Sequence, residues 1–107
     1  MNLLDKIQNC FTQNRIYYSR HAKVEMENEE FGQIKEHEVF ESILSGQIIE
    51  SYPDDEPYPS VLIFGYSQQN RPLHCVCALN ENDNWVIVIT VYHPDPELWI
   101  DYRIRRK

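Results

Sequence analysis

The sequence predicts an α+β fold in which N-terminal helices pack on one face of an antiparallel sheet of about four strands. Apolar residues recur at helical spacing in the first half of the chain, whereas the second half consists of apolar runs separated by short polar turns. A chain of 107 residues fits one domain. Residues 1–107 are therefore predicted to form a single domain with one core.

The first and third predicted helices have clear start and stop signals. Leu3 to Gln13 places apolar residues at helical spacing, and the side chain of Asn2 can cap its first turn. Glu36 to Leu44 carries a second apolar stripe, which Ser45 and Gly46 end. Both segments are predicted to be amphipathic helices that turn an apolar stripe toward the sheet.

The segment between these helices is harder to assign. Ile16 to Ser19 fits either a short edge strand or the lead-in to a helix, and both possibilities stay open. Ser19 can cap the helix that follows, and Gly32 ends it. Because His21 and Glu25 are four residues apart in this helix, they share a face, either as a functional pair or as an ordinary exposed pair.

Four apolar segments in the second half are predicted strands: Gln47 to Tyr52, Ser60 to Ser67, Pro72 to Leu79 and Trp85 to Tyr92. Short polar turns join the last three, which indicates an antiparallel meander. The helices must cover one face of the sheet, but the alternation does not decide which, because both faces are apolar. Trp99 is expected to dock on the sheet or on a partner.

The charge of the chain restricts how it can bind nucleic acid. The net charge of −7 belongs to residues 1–60, which hold five Lys/Arg and twelve Asp/Glu, whereas residues 61–107 hold five of each. An acidic protein is a poor nonspecific RNA binder, because phosphate contacts supply most of that affinity. Any RNA site must be a local basic patch, and the candidates are Arg71, Arg103, Arg105, Arg106 and Lys107.

Other features indicate a cytoplasmic protein without a membrane partner. No apolar run approaches the ~20 residues that span a bilayer, and the N-terminus lacks a signal-peptide pattern. The cysteine count is odd, and Cys75 and Cys77 alternate along one strand, so they are predicted to be core residues. Neighbouring strand residues point to opposite faces, so His74 and Cys75 cannot readily bind one ion, and neither a metal nor another cofactor is predicted.

The segment NRPLHCVCA, residues 70–78, carries the strongest candidate pair. The guanidinium fork of Arg71 suits a phosphate, and the imidazole of His74 suits acid–base chemistry near neutral pH. Two structural alternatives stay open, since Arg71 can be a solvated loop charge and His74 a hydrogen-bonded core group. Thr90 and Tyr92 end the neighbouring strand and can frame the same edge of the sheet.

Four motifs in this order resemble the domain-of-unknown-function 4258 family of bacteria and archaea: SRHAKVEM, EVFESILSGQIIESYPDDEPYPSVLIFG, RPLHCVCAL and IVITVYHPDPELW. The resemblance covers about Tyr18 to Lys107. It implies a fold similar to the small RelE-like and MqsR-like toxins, a zinc-finger antitoxin as partner, and metal-independent cleavage of messenger RNA. The recurring polar positions of the family fall on His21, Arg71, His74, Thr90 and Tyr92. Many members have arginines in the helix where this chain has Glu25 and Glu29.

The leading hypothesis is therefore an endoribonuclease toxin, in which a base takes the RNA 2′-OH proton and an acid protonates the leaving oxygen. His21 and His74 would share these roles in either order, Arg71 would stabilise phosphate charge, and Tyr92 would orient or donate. The predicted RNA-binding residues are Thr90, Arg103, Arg105 and Arg106. The alternative is a noncatalytic module that engages a basic partner through its acidic helices or forms a homodimer through a sheet edge.

Overall fold

The computed structural model describes residues 1–107 and confirms an α+β fold with N-terminal helices. The helices are α1 (Leu3–Thr12), α2 (Arg20–Asn28) and α3 (Glu36–Leu44). The strands are β1 (Ile16–Tyr18), β2 (Gln47–Tyr52), β3 (Ser60–Tyr66), β4 (Pro72–Asn80), β5 (Trp85–Tyr92), β6 (Trp99–Ile100) and β7 (Ile104–Arg105). None of the helices has the length and apolar character needed to cross a membrane.

The main sheet contains five strands in the order β1-β5-β4-β3-β2. The strands β3, β4 and β5 form the antiparallel meander that the short turns predict, and β2 extends it by antiparallel pairing with β3. β1 joins this meander by parallel pairing with β5, with Ile16 opposite Val86 and Tyr18 opposite Val88. The prediction of an antiparallel sheet of about four strands is therefore wrong, because the sheet has a fifth strand and is mixed. Parallel pairing between distant segments leaves no turn signal in the sequence.

Ser19 connects strand β1 to helix α2. Its Oγ accepts a hydrogen bond from the backbone N–H of Ala22 at 3.0 Å, which caps α2 as predicted. The same hydroxyl donates to the carbonyl of Ile89 at 2.9 Å, and the Ser19 N–H donates to the carbonyl of Val88 at 2.9 Å. Residues 16–19 are thus an edge strand that leads into a helix, which is why both interpretations fitted the sequence.

The helices cover one face of the sheet and leave the other to a C-terminal hairpin. On β4, Leu73, Cys75 and Cys77 belong to the buried core beneath the helices, and both thiols are free. The intervening side chains of β4, including His74, point to the opposite side, which we call the second face. There the hairpin β6-β7 packs through Trp99, whose buried indole lies 4.5 Å from the His74 ring. Trp99 therefore docks on the sheet.

Helix α2 protects the edge of β5 beyond the short strand β1. Glu25 Oε1 accepts a hydrogen bond from the backbone N–H of Val91 at 3.0 Å. One turn later, Glu29 Oε1 accepts from the N–H of His93 at 2.7 Å. The two carboxylates occupy the place of carbonyl groups from a neighbouring strand, so this edge of the sheet offers few free donors to another chain.

Candidate functional site

His74 is a fully buried histidine on the second face, with a solvent exposure of 0%. Its Nε2 lies 2.5 Å from the carbonyl oxygen of Tyr102 and must donate, because a carbonyl only accepts. We therefore assign the neutral tautomer with hydrogen on Nε2, in which Nδ1 accepts the hydrogen bond of the Tyr92 hydroxyl at 3.1 Å. Both ring nitrogens of His74 are used within the protein.

The surroundings of His74 keep its ring uncharged. Burial lowers the pKa of His74 to about 4, although the Tyr102 carbonyl and the Glu50 carboxylate act in the opposite direction. Its ring makes edge contacts with Phe64 at 5.7 Å and with the Trp99 indole. A neutral, enclosed imidazole is suited to hold a neighbouring group in place, and the group that it holds is Tyr92.

Tyr92 is the half-buried residue that links the second face to helix α2. It lies directly opposite His74 in the β4-β5 register. Burial raises the pKa of Tyr92 to about 12, so its hydroxyl stays protonated at neutral pH. Tyr92 also borders an open cavity of about 370 Å³, whose other lining residues come from α2 and its end: Val24, Glu25, Asn28, Glu29 and Glu30. Tyr92 therefore lies at a border between sheet and helix.

An arginine–carboxylate pair lies elsewhere on the second face. Arg105 of β7 donates from Nε to Glu50 Oε2 at 2.9 Å and from Nη2 to Glu50 Oε1 at 3.1 Å. The Tyr52 hydroxyl donates to the same Oε1 at 2.5 Å. Burial alone would raise the pKa of Glu50, but the hydrogen bonds from Arg105 and Tyr52 outweigh it and hold this pKa below its usual value. The guanidinium lies 4.6 Å over the Trp99 ring.

Strand register places these groups on one surface. Glu50 pairs with Leu62, Leu62 with Val76, and Val76 with Thr90, so a single row crosses the sheet from β2 to β5. Tyr92 lies two residues beyond Thr90 on the same strand and therefore points to the same face. The second face thus carries the predicted residues His74, Thr90, Tyr92 and Arg105.

His21 reaches the border of this face through Glu25. Its Nε2 lies 3.4 Å from Glu25 Oε1, and its side chain is 67% exposed. The same oxygen accepts the backbone N–H of Val91, so the carboxylate is fixed to the sheet while the imidazole faces solvent. Burial raises the pKa of Glu25 despite the opposing effects of that hydrogen bond and of His21. Glu25 and Tyr92 line the same cavity, whereas His21 is not one of its lining residues and is connected to it through Glu25.

Arg71 lies on the helix side of the sheet, away from His74. Its Nη1 donates to the carbonyl of Gln33 at 2.9 Å and approaches Glu38 Oε1 at 3.4 Å, and its Nη2 donates to the carbonyl of Gly32. The guanidinium therefore fastens the segment between α2 and α3 to the start of β4. The structure does not bring Arg71 together with His74, because residues three apart in a strand point to opposite faces.

The histidine next to Arg71 is His93, at the end of β5. Burial and the charge of Arg71 lower the pKa of His93. Its ring stacks on Phe31 at 4.4 Å with an interplanar angle of 20°. The RPLH and TVYHPD motifs thus meet twice in the fold, through His74 with Tyr92 on the second face and through Arg71 with His93 on the helix side.

The remaining predicted RNA-binding arginines belong to the C-terminal segment. Arg103 lies 4.7 Å over the Phe64 ring and donates to the Asp101 carbonyl at 3.1 Å. Arg106 donates from Nε to the carbonyl of Pro96 at 3.0 Å and is not tied to the sheet. No group of three or more His, Cys, Asp or Glu side chains is arranged to hold a metal ion.

Three residues of this surface were not among the predicted ones: Glu50, Tyr52 and Tyr102. The sequence contains a signal for Glu50 and Tyr52, because a carboxylate and a tyrosine two residues apart in a strand must point to the same side. Tyr102 contributes its backbone carbonyl to His74, and no side-chain pattern reports such a contact. The candidate site is therefore built partly from residues that only the fold brings near.

Comparison with known proteins identifies a family for most of the chain. Neither the curated proteins nor the solved structures contain a match. One family model matches residues 18–93, and its description is Domain of unknown function (DUF4258). The matched segment begins at the last residue of β1 and contains α2, α3 and the strands β2 to β5. Because it covers well over half of the 107 residues, the chain belongs to the DUF4258 family.

Proposed function

We propose that this protein is a RelE-like toxin that cleaves messenger RNA without a metal, with its active site on the second face and the adjoining helix edge. The observation that carries the proposal is the position of Tyr92. It borders one cavity with Glu25, the carboxylate that contacts His21, and it shares the second face with the Arg105 fork. A base, a hydroxyl donor and a cation are the groups that cleavage of a phosphodiester requires.

The chemistry assigns one step to each group. His21 removes the proton of a ribose 2′-OH, and Glu25 stabilises the imidazolium that forms. The 2′-oxygen attacks the adjacent phosphorus, the bond from phosphorus to the 5′-oxygen breaks, and a 2′,3′-cyclic phosphate results. In the same step the Tyr92 O–H turns from its acceptor, Nδ1 of buried His74, to the leaving 5′-oxygen and gives that oxygen its proton, and solvent later returns a proton to Tyr92.

Arg105 takes the role that the sequence suggested for Arg71. The guanidinium of Arg71 is bonded to backbone carbonyls on the helix side of the sheet, whereas that of Arg105 lies on the second face, where it pairs with Glu50 and is 60% exposed. An arginine fork can donate two parallel hydrogen bonds to phosphate oxygens and offset the negative charge that develops during attack. Arg103 adds a second positive charge to the same hairpin.

Cleavage of an end-labelled single-stranded RNA in the presence of EDTA tests this proposal. We expect products that end in a cyclic phosphate, and a rate that falls by about 10²-fold in His21→Ala, Tyr92→Phe and Arg105→Ala. The matched controls are His37→Ala and Tyr17→Phe, which alter an exposed histidine and an exposed tyrosine elsewhere. An intact RNA, or site variants that cleave as fast as these controls, would overturn the proposal.

A second candidate is a noncatalytic module that binds a basic protein partner, and one surface favours it. Val24 and Phe31 are exposed apolar side chains near the carboxylates of α2, and Val24 lines the same cavity as Glu30. The family resemblance implies a zinc-finger antitoxin as such a partner. Intact RNA with wild-type protein, together with binding of a lysine-rich helical peptide that Val24→Asp abolishes, would favour this function.

A further inference from the structure

The ion pair between Arg105 and Glu50 has the same hydrogen-bond geometry as a contact between an arginine and a phosphate group. Two donors of one guanidinium edge, Nε and Nη2, each meet a separate carboxylate oxygen, at 2.9 and 3.1 Å. Phosphate oxygens accept the same pair of parallel hydrogen bonds. We infer that Glu50 occupies the phosphate-binding position of Arg105 in the free protein and that a phosphate group binds there by displacing this carboxylate.

The cation can stay in place while its partner leaves. The Arg105 guanidinium lies 4.6 Å over the Trp99 ring, so an aromatic face orients it independently of Glu50. The hairpin that carries it is held separately, by the buried indole of Trp99 and by the hydrogen bond from His74 to the Tyr102 carbonyl. Exchange of the carboxylate for a phosphate therefore leaves the hairpin on the sheet.

The solvent exposure of Arg105 and Glu50 favours the exchange of the carboxylate for a phosphate. The side chain of Arg105 is 60% exposed and that of Glu50 is 22% exposed, on a strand at the edge of the sheet. Partly exposed ion pairs contribute little net stability, because water solvates both charges well once they separate. The Tyr52 hydroxyl, which now donates to Glu50, becomes available as a further donor to the incoming group. Glu50 is thus an internal competitor that weakens phosphate binding.

This inference takes the identity of its ligand, a nucleic-acid phosphate, from the proposed function, so its test must not depend on cleavage. The probe is a fluorescent DNA oligonucleotide, which lacks the 2′-OH and is not cleaved. Its affinity is measured by anisotropy, and inorganic phosphate is measured in a second arm. We expect Glu50→Gln to bind the oligonucleotide about three- to tenfold more tightly than the wild type. The gain should vanish when Arg105→Ala is added.

Glu81→Gln is the matched control, because it removes one negative charge from another exposed ion pair, that with Lys6. If Glu50→Gln does not fold, Glu50→Asp gives the same readout, since a shorter side chain loses its bidentate contact while keeping its charge. A gain with inorganic phosphate as well identifies a free phosphate group as a sufficient ligand, whereas a gain with DNA alone identifies the nucleic-acid strand.

Three results would overturn the inference: unchanged affinity in both Glu50 variants, an equal gain in Glu81→Gln, or a gain that survives Arg105→Ala. Failure of RNA cleavage overturns the proposed function but leaves this binding test intact. Conversely, if the protein cleaves RNA but the Glu50 variants bind DNA as the wild type does, the proposed function stands and the role of Glu50 as an internal competitor is refuted. The two failures are therefore distinguishable.

Discussion

The hydroxyl of Tyr92 donates a hydrogen bond to Nδ1 of His74 across 3.1 Å, between directly paired residues of β5 and β4. The acceptor role of His74 follows from its other nitrogen, which must donate to the Tyr102 carbonyl. His74 is thus a buried support for a half-exposed tyrosine. His74 therefore contributes to the stability of the sheet and Tyr92 to the chemistry of its surface, and the two contributions can be measured separately.

Removal of His74 is expected to destabilise the protein strongly. His74→Ala leaves a cavity and an unpaired carbonyl at Tyr102, which should lower the free energy of unfolding by about 3 kcal/mol. Urea unfolding measures this loss. His37→Ala, a change at an exposed histidine, should stay within about 0.5 kcal/mol of the wild type. A His74→Ala protein of full stability would show that the ring does not support the fold.

The lowered pKa of His74 predicts a loss of stability in mild acid. Because its pKa is about 4 in the folded protein and 6.5 in a free histidine, the unfolded chain binds more protons between these values. The contribution is complete above pH 6.5 and is lost as the pH falls toward 4, by about 3 kcal/mol in total. The nearby charges that modulate it are Glu50 and Arg105.

Urea unfolding of the wild type and of His74→Gln across this pH range isolates the effect, because glutamine can hydrogen-bond but does not titrate there. We expect the difference in unfolding free energy between the two proteins to shrink as the pH falls from 6.5. A constant difference would contradict the prediction, since every other titrating group is common to both proteins.

Arg71 is expected to matter for local structure more than for catalysis. Arg71→Ala removes the donors to Gly32 and Gln33 and the cation next to Glu38, which should cost about 2 kcal/mol of stability. Backbone amides between α2 and α3 should exchange faster with deuterium, as measured by mass spectrometry. The rate of RNA cleavage by the folded variant should remain within about threefold of the wild-type rate. A loss of rate as large as in Arg105→Ala would show that Arg71 takes part in catalysis.

The carboxylates that protect the β5 edge give a fourth prediction. Glu25→Ala with Glu29→Ala leaves the N–H groups of Val91 and His93 without acceptors, which should cost about 1 kcal/mol for each lost bond and promote self-association. Size-exclusion chromatography with light scattering measures the association. The control replaces both residues by glutamine, which keeps an accepting oxygen and should remain as stable as the wild type. Equal behaviour of the two double variants would refute the edge-protection role.

The local parts of the fold could be predicted because their signals lie close together in the chain. The cap at Asn2, the helix Glu36–Leu44 and the strand Trp85–Tyr92 follow from short patterns. The same alternation that placed His74 and Cys75 on opposite faces also separates Arg71 from His74. That separation therefore has a signal in the sequence, the odd spacing of the two residues.

The rest of the site depends on contacts that sequence spacing does not encode. The parallel pairing of β1 with β5 joins distant segments, and the ring of His74 is enclosed by a hairpin that follows the sheet by several residues. The partner of His74 in that hairpin is a backbone carbonyl, which every residue possesses. Only the three-dimensional arrangement identifies Tyr102 as the group that fixes the tautomer.

The parallel pairing of β1 with β5 also sets the order in which a newly made chain can fold. Ile16–Tyr18 leaves the ribosome long before Trp85–Tyr92, its only partner in the sheet. The strands from β2 to β5, by contrast, pair through neighbours in sequence, and such local contacts form early. We therefore expect the meander to assemble first, with the N-terminal strand and the carboxylates of α2 closing its last edge. Until then, the β5 edge is open to other chains.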